Sequence, residues 1–337
     1  MDLRTDIKHK HMQDKEMILY PFTLEPVSEE QWWGTEQWLL ADLGFRDSRV
    51  SSGLLEDSTL AEVMETYLDR VVGDEEYART GRQFPVMAKL LHTRRRTPLA
   101  VCPDDIVAFE RYDSLGKAKL WYVAKAEPGA CIHVGLRRDM TATEFYESCL
   151  DASIIDHMNE IPVKKGDCCL IIPGMLHCAG PGLELVEISE ASDLDLRLCN
   201  WGRTADNQDD AIFLEEAFDF IDMQASAPVM TGPDELAKIE QFTALHLAPE
   251  SPVKVSGNGC FAVYICLKGA LSIRVEADGQ DGGRQVESLR LREGGIAVVP
   301  ADREEYFLVP EEAGTELIEL TGGCHIQEEE FVGEIED

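Results

Sequence analysis

The amino-acid sequence predicts a mainly β protein with helical insertions, arranged as two small antiparallel β-barrels in tandem. Three observations carry this. From about residue 253 the chain is strand, turn, strand, with glycine punctuating each segment: VKVSGNGCFAVYICLKGALSIRVEADG, RQVESLRLREGGIAVVPA and TELIELTG. One unit, a charged stretch, a glycine, an apolar strand and a proline, occurs twice, as KKGDCCLIIPG (164–174) and LREGGIAVVPA (291–301). Helical spacing behind a capping signal is confined to short runs of the N-terminal two thirds.

Residues 1–17 carry no apolar periodicity and read as a loose leader. MILYPFTLEPV (17–27) reads as an edge strand with proline breaks, and QWWGTEQW (31–38) as a loop that packs aromatics. Thr59 and Glu62 form a capping box. Leu60, Val63, Met64, Tyr67, Leu68 and Val71 then recur at helical spacing until Gly73. QFPVMAKLL (83–91) and PLAVCP (98–103) are short apolar core strands, with TRRR (93–96) as a solvated turn. LWYVAKAEPGACIHVGL (120–136) reads as two strands about Pro128-Gly129. Thr141 and Glu144 open a second helix that buries Phe145, Cys149 and Leu150. Strands resume in IPVKKGDCCLIIPG and LELVEIS. The polar GRTADNQDD (202–210) marks an exit, and AIFLEEAFDFIDM (211–223) a helical bridge. The expected division is therefore 18–210, a bridge over 211–230, a second barrel over 231–325 and an acidic tail over 326–337.

Composition narrows the function. The chain has 337 residues, 44% hydrophobic and 28% charged, which is ordinary for a globular protein. A formal net charge of −33 repels phosphate backbones, so no nucleic-acid partner is expected. No run reaches the ~18 apolar residues of a membrane helix, and the polar start lacks a signal-peptide core. The expectation is a soluble cytoplasmic protein with no membrane partner. Ten cysteines without a C-x-x-C pair, mostly in apolar settings, read as reduced buried thiols.

Several spaced stretches, in order over about residues 20–320, resemble the class I mannose-6-phosphate isomerases, close to the short bacterial type with a C-terminal cupin barrel. They are FPVMAKL (84–90), PLAVCPDD (98–105), GKAKLWY (116–122), GDCCLIIPGMLH (166–177) and EISEASDLDLR (187–197). The resemblance implies two cupin-like (jelly-roll) barrels. It also implies interconversion of mannose 6-phosphate and fructose 6-phosphate, an aldose–ketose isomerisation. Family members hold one zinc through a Gln and a His in Q-V-H-P, a Glu in G-K-x-E-x-W-Y and a later His. Zinc with an open position polarises the sugar carbonyl and stabilises the enediolate. Here those positions are Ala100, Cys102, Lys119 and His177. Ala100 cannot ligate, Cys102 offers a soft donor, and the Lys119 ammonium repels a dication. Zinc is expected to be absent or weakly held.

The resemblance further implies catalytic roles for Arg197, Glu187 and Lys117, and substrate contacts for Lys89, Lys119 and Asp193. Lys89, Lys117, Lys119 and Arg197 would form a basic pocket for a hexose phosphate. For individual residues two readings stand side by side. His177 is a metal ligand or a hydrogen-bonded core histidine. Cys102 and His177 are a thiolate–imidazole pair or two structural residues. Lys119 sits in the vacated metal position or points to solvent. Glu187 and Arg197 serve chemistry or a buried ion pair. Asp104-Asp105 read as a turn after Pro103, and Trp32, Trp33 and Trp38 as packing. The function is an isomerase of hexose phosphates with its zinc ligands exchanged, or a non-catalytic sugar-phosphate-binding protein.

Overall fold

The computed structural model describes residues 19–203, 211–278 and 284–323. The leader, the acidic tail, Cys324 and most of the exit segment lie outside the described residues. Four antiparallel sheets hold most of the rest. The first seven-stranded sheet runs Val229–Met230, Cys168–Ile171, Lys119–Ala126, Leu183–Glu190, Val86–Thr93, Gly34–Leu40 and Val27–Gln31 in neighbour order. A five-stranded sheet faces it: Leu196–Cys199, Leu99–Val101, His177–Ala179, Cys131–Leu136 and Met158–Pro162. Between them packs a core of Trp33, Leu91, Trp121, Val123, Ile132, Val134, Ile171 and Leu185.

The second pair of sheets comes largely from the C-terminal part. Its seven-stranded sheet includes Phe242–Leu247, Glu316–Gly322, Ala262–Lys268 and Ile296–Val299, and its four-stranded sheet includes Ala270–Asp278 and Arg284–Arg292. The two seven-stranded sheets lie back to back. One continuous core joins Leu120, Tyr122, Val186 and Ile188 of the first to Val263, Ile265, Ile318 and Leu320 of the second. The layers are therefore stacked sandwiches of open sheets, not the closed barrels that the strand grammar predicts. The Pro128-Gly129 turn shows why. It passes the chain from Lys119–Ala126 in one sheet to Cys131–Leu136 in the facing sheet, instead of closing a hairpin.

Other expectations need correction. Phe22–Glu25 is not an edge strand: it pairs with Ile296–Val299 on one side and Arg49–Val50 on the other, inside the C-terminal sheet. QWWGTEQW is the turn and second strand of a hairpin, Val27–Gln31 with Gly34–Leu40. Both capping boxes form, at Thr59/Glu62 and Thr141/Glu144. The first helix stops at Tyr67, because Leu68 turns to φ 55°; a short helix, Asp69–Val72, follows before Gly73. Leu150 is exposed, whereas Phe145 and Cys149 are buried against the outer face of the five-stranded sheet. Asp104 does more than turn the chain. Its carboxylate accepts from the Val107 N–H at 2.8 Å and caps a helix, Asp105–Tyr112, that the sequence reading lacked. The expected helical bridge is a single turn, Leu214–Ala217.

Candidate functional site

Strand alternation decides which side chains meet. In Lys119–Ala126, Leu120 and Tyr122 face the back-to-back core while Lys119 and Trp121 face the five-stranded sheet. Glu187 is the register partner of Trp121, and Ser189 of Lys119. In the facing sheet Ala100 pairs with His177, so both point inward, and Cys102 follows Ala100 by two residues. The positions matched to the zinc ligands thus converge, although three of the four have exchanged residue type.

They converge on a residue the sequence reading passed over, Asp195. Its Oδ1 accepts from Lys119 Nζ at 2.5 Å and from the Cys102 thiol at 3.2 Å, and its Oδ2 accepts from Lys117 Nζ at 2.7 Å. His177 Nε2 lies 3.5 Å from Oδ1. His177 Nδ1 lies 3.0 Å from the Met175 carbonyl, which can only accept, so Nδ1 carries the proton and Nε2 turns its lone pair inward. Lys119 also approaches Glu187 Oε2 at 3.5 Å, and the Trp121 indole N–H donates to the same oxygen at 2.7 Å. Lys89 pairs with Glu36 at 2.8 Å, its ammonium 3.7 Å from the centroid of the Trp38 ring.

The charges explain the protonation states. Burial alone would raise the Asp195 carboxyl, but Lys117 and Lys119 hold it well below the usual range. Glu187 behaves likewise: burial opposes its charge, and Lys119 outweighs that. Burial would deprotonate Lys119; the carboxylates of Asp195 and Glu187 instead keep it an ammonium, its pKa raised. His177 is pushed down by burial and by Lys119, so it is neutral at pH 7. Cys102 is pushed well up by burial and by Asp195. It is a thiol donor, and the thiolate–imidazole pair does not form.

An open cavity of about 980 Å³ lies in front of this cluster. Its wall includes Lys89, Ala100, Lys119, His177, Glu187, Asp193, Asp195 and Arg197. Lys117 and Cys102 are buried behind it. Lys119 does not point to solvent; it is 1% exposed. The expected basic pocket is instead a set of pairs: Lys89 with Glu36, Lys117 with Asp195, and Lys119 with Asp195 and Glu187. Arg197 and Arg203 add guanidinium groups to the wall, and Arg203 lies over Trp32. Trp32, Trp33 and Trp38, expected only to pack, line the cavity as well. Asp193 and Asp195 precede the strand Leu196–Cys199 in a turn closed by the Asp195 N–H on the Asp193 carbonyl at 2.7 Å, so no strand period marked Asp195 in the sequence.

No family model matches the chain. It is 31% identical over 140 residues to a mannose-6-phosphate isomerase of Streptococcus mutans, an alignment covering 41% of this chain and 44% of that enzyme. It is 26% identical over 207 residues to a mannose-6-phosphate isomerase of Bacillus subtilis, covering 56% and 63%. The chain thus aligns with less than two thirds of either relative's length. Among solved structures, the Bacillus subtilis mannose 6-phosphate isomerase superposes with a TM-score of 0.75 at 20% identity, covering 90% of this chain and 99% of that one. A single-residue variant of phosphomannose isomerase from Salmonella typhimurium gives 0.70 at 14% identity, covering 91% and 100%. In sequence and in fold, the chain is a relative of the mannose-6-phosphate isomerases.

Proposed function

We propose that this chain binds a hexose phosphate in the cavity in front of Lys119, as a divergent mannose-6-phosphate isomerase relative whose metal centre is replaced by an ammonium. The carrying observation is the seat of Lys119 Nζ, 2.5 Å from Asp195 Oδ1 and 3.5 Å from Glu187 Oε2. Cys102, His177 and Asp195 offer donor atoms within 4.8 Å of one another. The residues present nevertheless do not fit zinc. Lys119 and Lys117 occupy both oxygens of Asp195, Cys102 holds its proton, and Ala100 has no donor. A dication about 4 Å from the Lys119 ammonium would meet a repulsion of roughly 8 kcal/mol at an effective dielectric constant of 20. A well-formed structural zinc site supplies about 10–16 kcal/mol, and here two of the four matched positions, Ala100 and Lys119, offer no metal donor.

Proton transfer without a metal is not favoured by the same geometry. A carboxylate held below its usual range, as Glu187 is, makes a weak base near neutral pH. The non-catalytic reading therefore stands ahead of catalysis. For the ligand, the guanidinium of Arg197 suits a phosphate and the tryptophans offer apolar faces to a sugar ring. The division into two cupin-like units, 18–210 and 231–325, belongs to the same proposal, with Phe22–Glu25 and Arg49–Val50 of the first lent to the sheet of the second.

The test is thermal unfolding with and without mannose 6-phosphate or fructose 6-phosphate, beside a coupled isomerase assay. We expect stabilisation that rises with ligand concentration, little or no turnover, and loss of the stabilisation in Arg197→Ala. Turnover of roughly 1–1,000 per second that is abolished by chelator would overturn the replacement of the metal. Neither stabilisation nor turnover would overturn the sugar-phosphate reading.

A further inference from the structure

We propose a second, unrelated site on the outer face of the five-stranded sheet: a surface centre for one borderline-soft divalent cation of the zinc class, held by Cys131, His133 and Glu160. The alternation that sends Ile132 and Val134 into the inner core sends Cys131 and His133 the other way. His133 is the register partner of Glu160 on the neighbouring strand and of Cys178 on the other side. Cys131, His133 and Glu160 are thus two residues along one strand and one across, all on one face, a spacing at which side chains touch. Their donor atoms lie within 4.8 Å of one another.

Two further observations separate this trio from a chance cluster. His133 is 2% exposed, and its Nδ1 is buried with no hydrogen-bond partner among the described residues, while its Nε2 lies 3.6 Å from Glu160 Oε2. Nε2 is therefore the nitrogen offered to a cation beside Glu160, and Nδ1, on the other side of the ring, keeps the proton. The burial is also graded. The Glu160 side chain is 69% exposed and Cys131 is half-buried, which leaves solvent access to the donors and a free coordination position. Donors around a tetrahedral zinc lie roughly 3.5 Å apart, given bonds of about 2.0–2.3 Å. The His133–Glu160 pair already meets that, and the exposed Glu160 side chain can supply the remaining closure.

The charges balance in the bound state. Cys131 would lose its thiol proton to solvent, and thiolate plus carboxylate neutralise the dication. Arg96, its guanidinium 4.9 Å from the centroid of the Trp201 ring, acts on both Cys131 and His133; its charge favours the Cys131 thiolate and opposes the dication, so the thiolate and the carboxylate must outweigh it. Sulfur, imidazole and carboxylate together favour zinc over magnesium or calcium. The site needs no ligand from the cavity on the inner face, where Lys119 excludes a cation.

The experiment is titration of the chelator-treated full chain with Co²⁺, read by the sulfur-to-cobalt charge-transfer band, followed by displacement with Zn²⁺. We expect one equivalent, with the band lost in Cys131→Ser and retained in Cys102→Ser. Glu160→Gln, an exposed substitution that leaves the fold intact, should weaken zinc binding by about 10–100-fold. No band in the unsubstituted protein would overturn the proposal. So would a band that survives Cys131→Ser, or binding unchanged in Glu160→Gln. A band lost only in Cys102→Ser would place the metal in the inner cavity, and would overturn the reading of Lys119 as well.

Discussion

Asp195 is the residue on which the inner site depends. It accepts from two buried ammonium groups and a thiol, and it faces the lone pair of His177. Removing one partner of a buried ion pair leaves the other charge unpaired, which typically costs about 3–5 kcal/mol. Asp195→Asn strands Lys117 and most of the pairing of Lys119. We expect the lower end of that range, because the Asp195 side chain keeps 27% of its exposure. Urea denaturation checks this, and a midpoint unchanged from the unsubstituted protein would contradict it. A neighbouring carboxyl gives a pH signature of opposite sign. Burial pushes Glu190 up to about 7, despite the Ala118 N–H it accepts from. The folded state therefore prefers its protonated form. The associated stability is present below the unfolded value of about 4.3 and falls away as pH rises to about 7. Asp195, depressed in the fold, contributes stability that is lost only as pH falls below about 3.9. Glu190→Gln should flatten the decline between about pH 4.3 and pH 7 and leave the acid limb in place. Chemical denaturation across that range tests it, and an unchanged slope would refute it. The sequence made Lys119, His177 and Cys102 legible by their motif positions. It did not reveal Asp195, because the motif match fell on Asp193, two residues earlier and exposed.

Among elements, the local signals were the readable ones. Capping boxes at Thr59 and Thr141 require only three-residue spacing, and both formed. The helix Asp105–Tyr112 went unread because Asp104-Asp105 after Pro103 satisfies a turn as well as an N-cap; the choice depends on the Gly116 backbone, whose N–H donates to Asp105 Oδ1 at 2.8 Å. The break at Leu68 was equally invisible, since its cause is the docking of the following helices. Gly73 shows the constraint. It has φ 98°, and a Cβ there would lie 2.1 Å from the Gly259 carbonyl oxygen. Gly73→Ala therefore combines an unfavourable backbone region with a clash against the C-terminal part. We expect it to destabilise the protein by about 1–3 kcal/mol, seen as a lowered melting temperature. An alanine variant as stable as the parent would mean this contact is not rigid.

Across the whole molecule, the strand grammar was enough to predict a mainly β chain. The insertion of Phe22–Glu25 into the C-terminal sheet was not predictable, because Phe22 and Val298 pair across most of the chain and nothing local encodes that register. The back-to-back core that results fixes the inner sheet from behind, through Leu120, Tyr122, Val186 and Ile188. Lys119 and Glu187 alternate with these residues, so their seats in the cavity are set by packing on the opposite face. The backbone of the inner sheet is thus held from behind, whatever residues line the cavity. The most direct test of the central claim is the zinc-edge anomalous difference map of a crystal of this protein soaked in zinc. The account predicts no zinc among Cys102, His177 and Asp195, with the Lys119 ammonium between Asp195 and Glu187. Zinc within about 2.0–2.2 Å of His177 and Asp195, with Lys119 swung out of its seat, would contradict it.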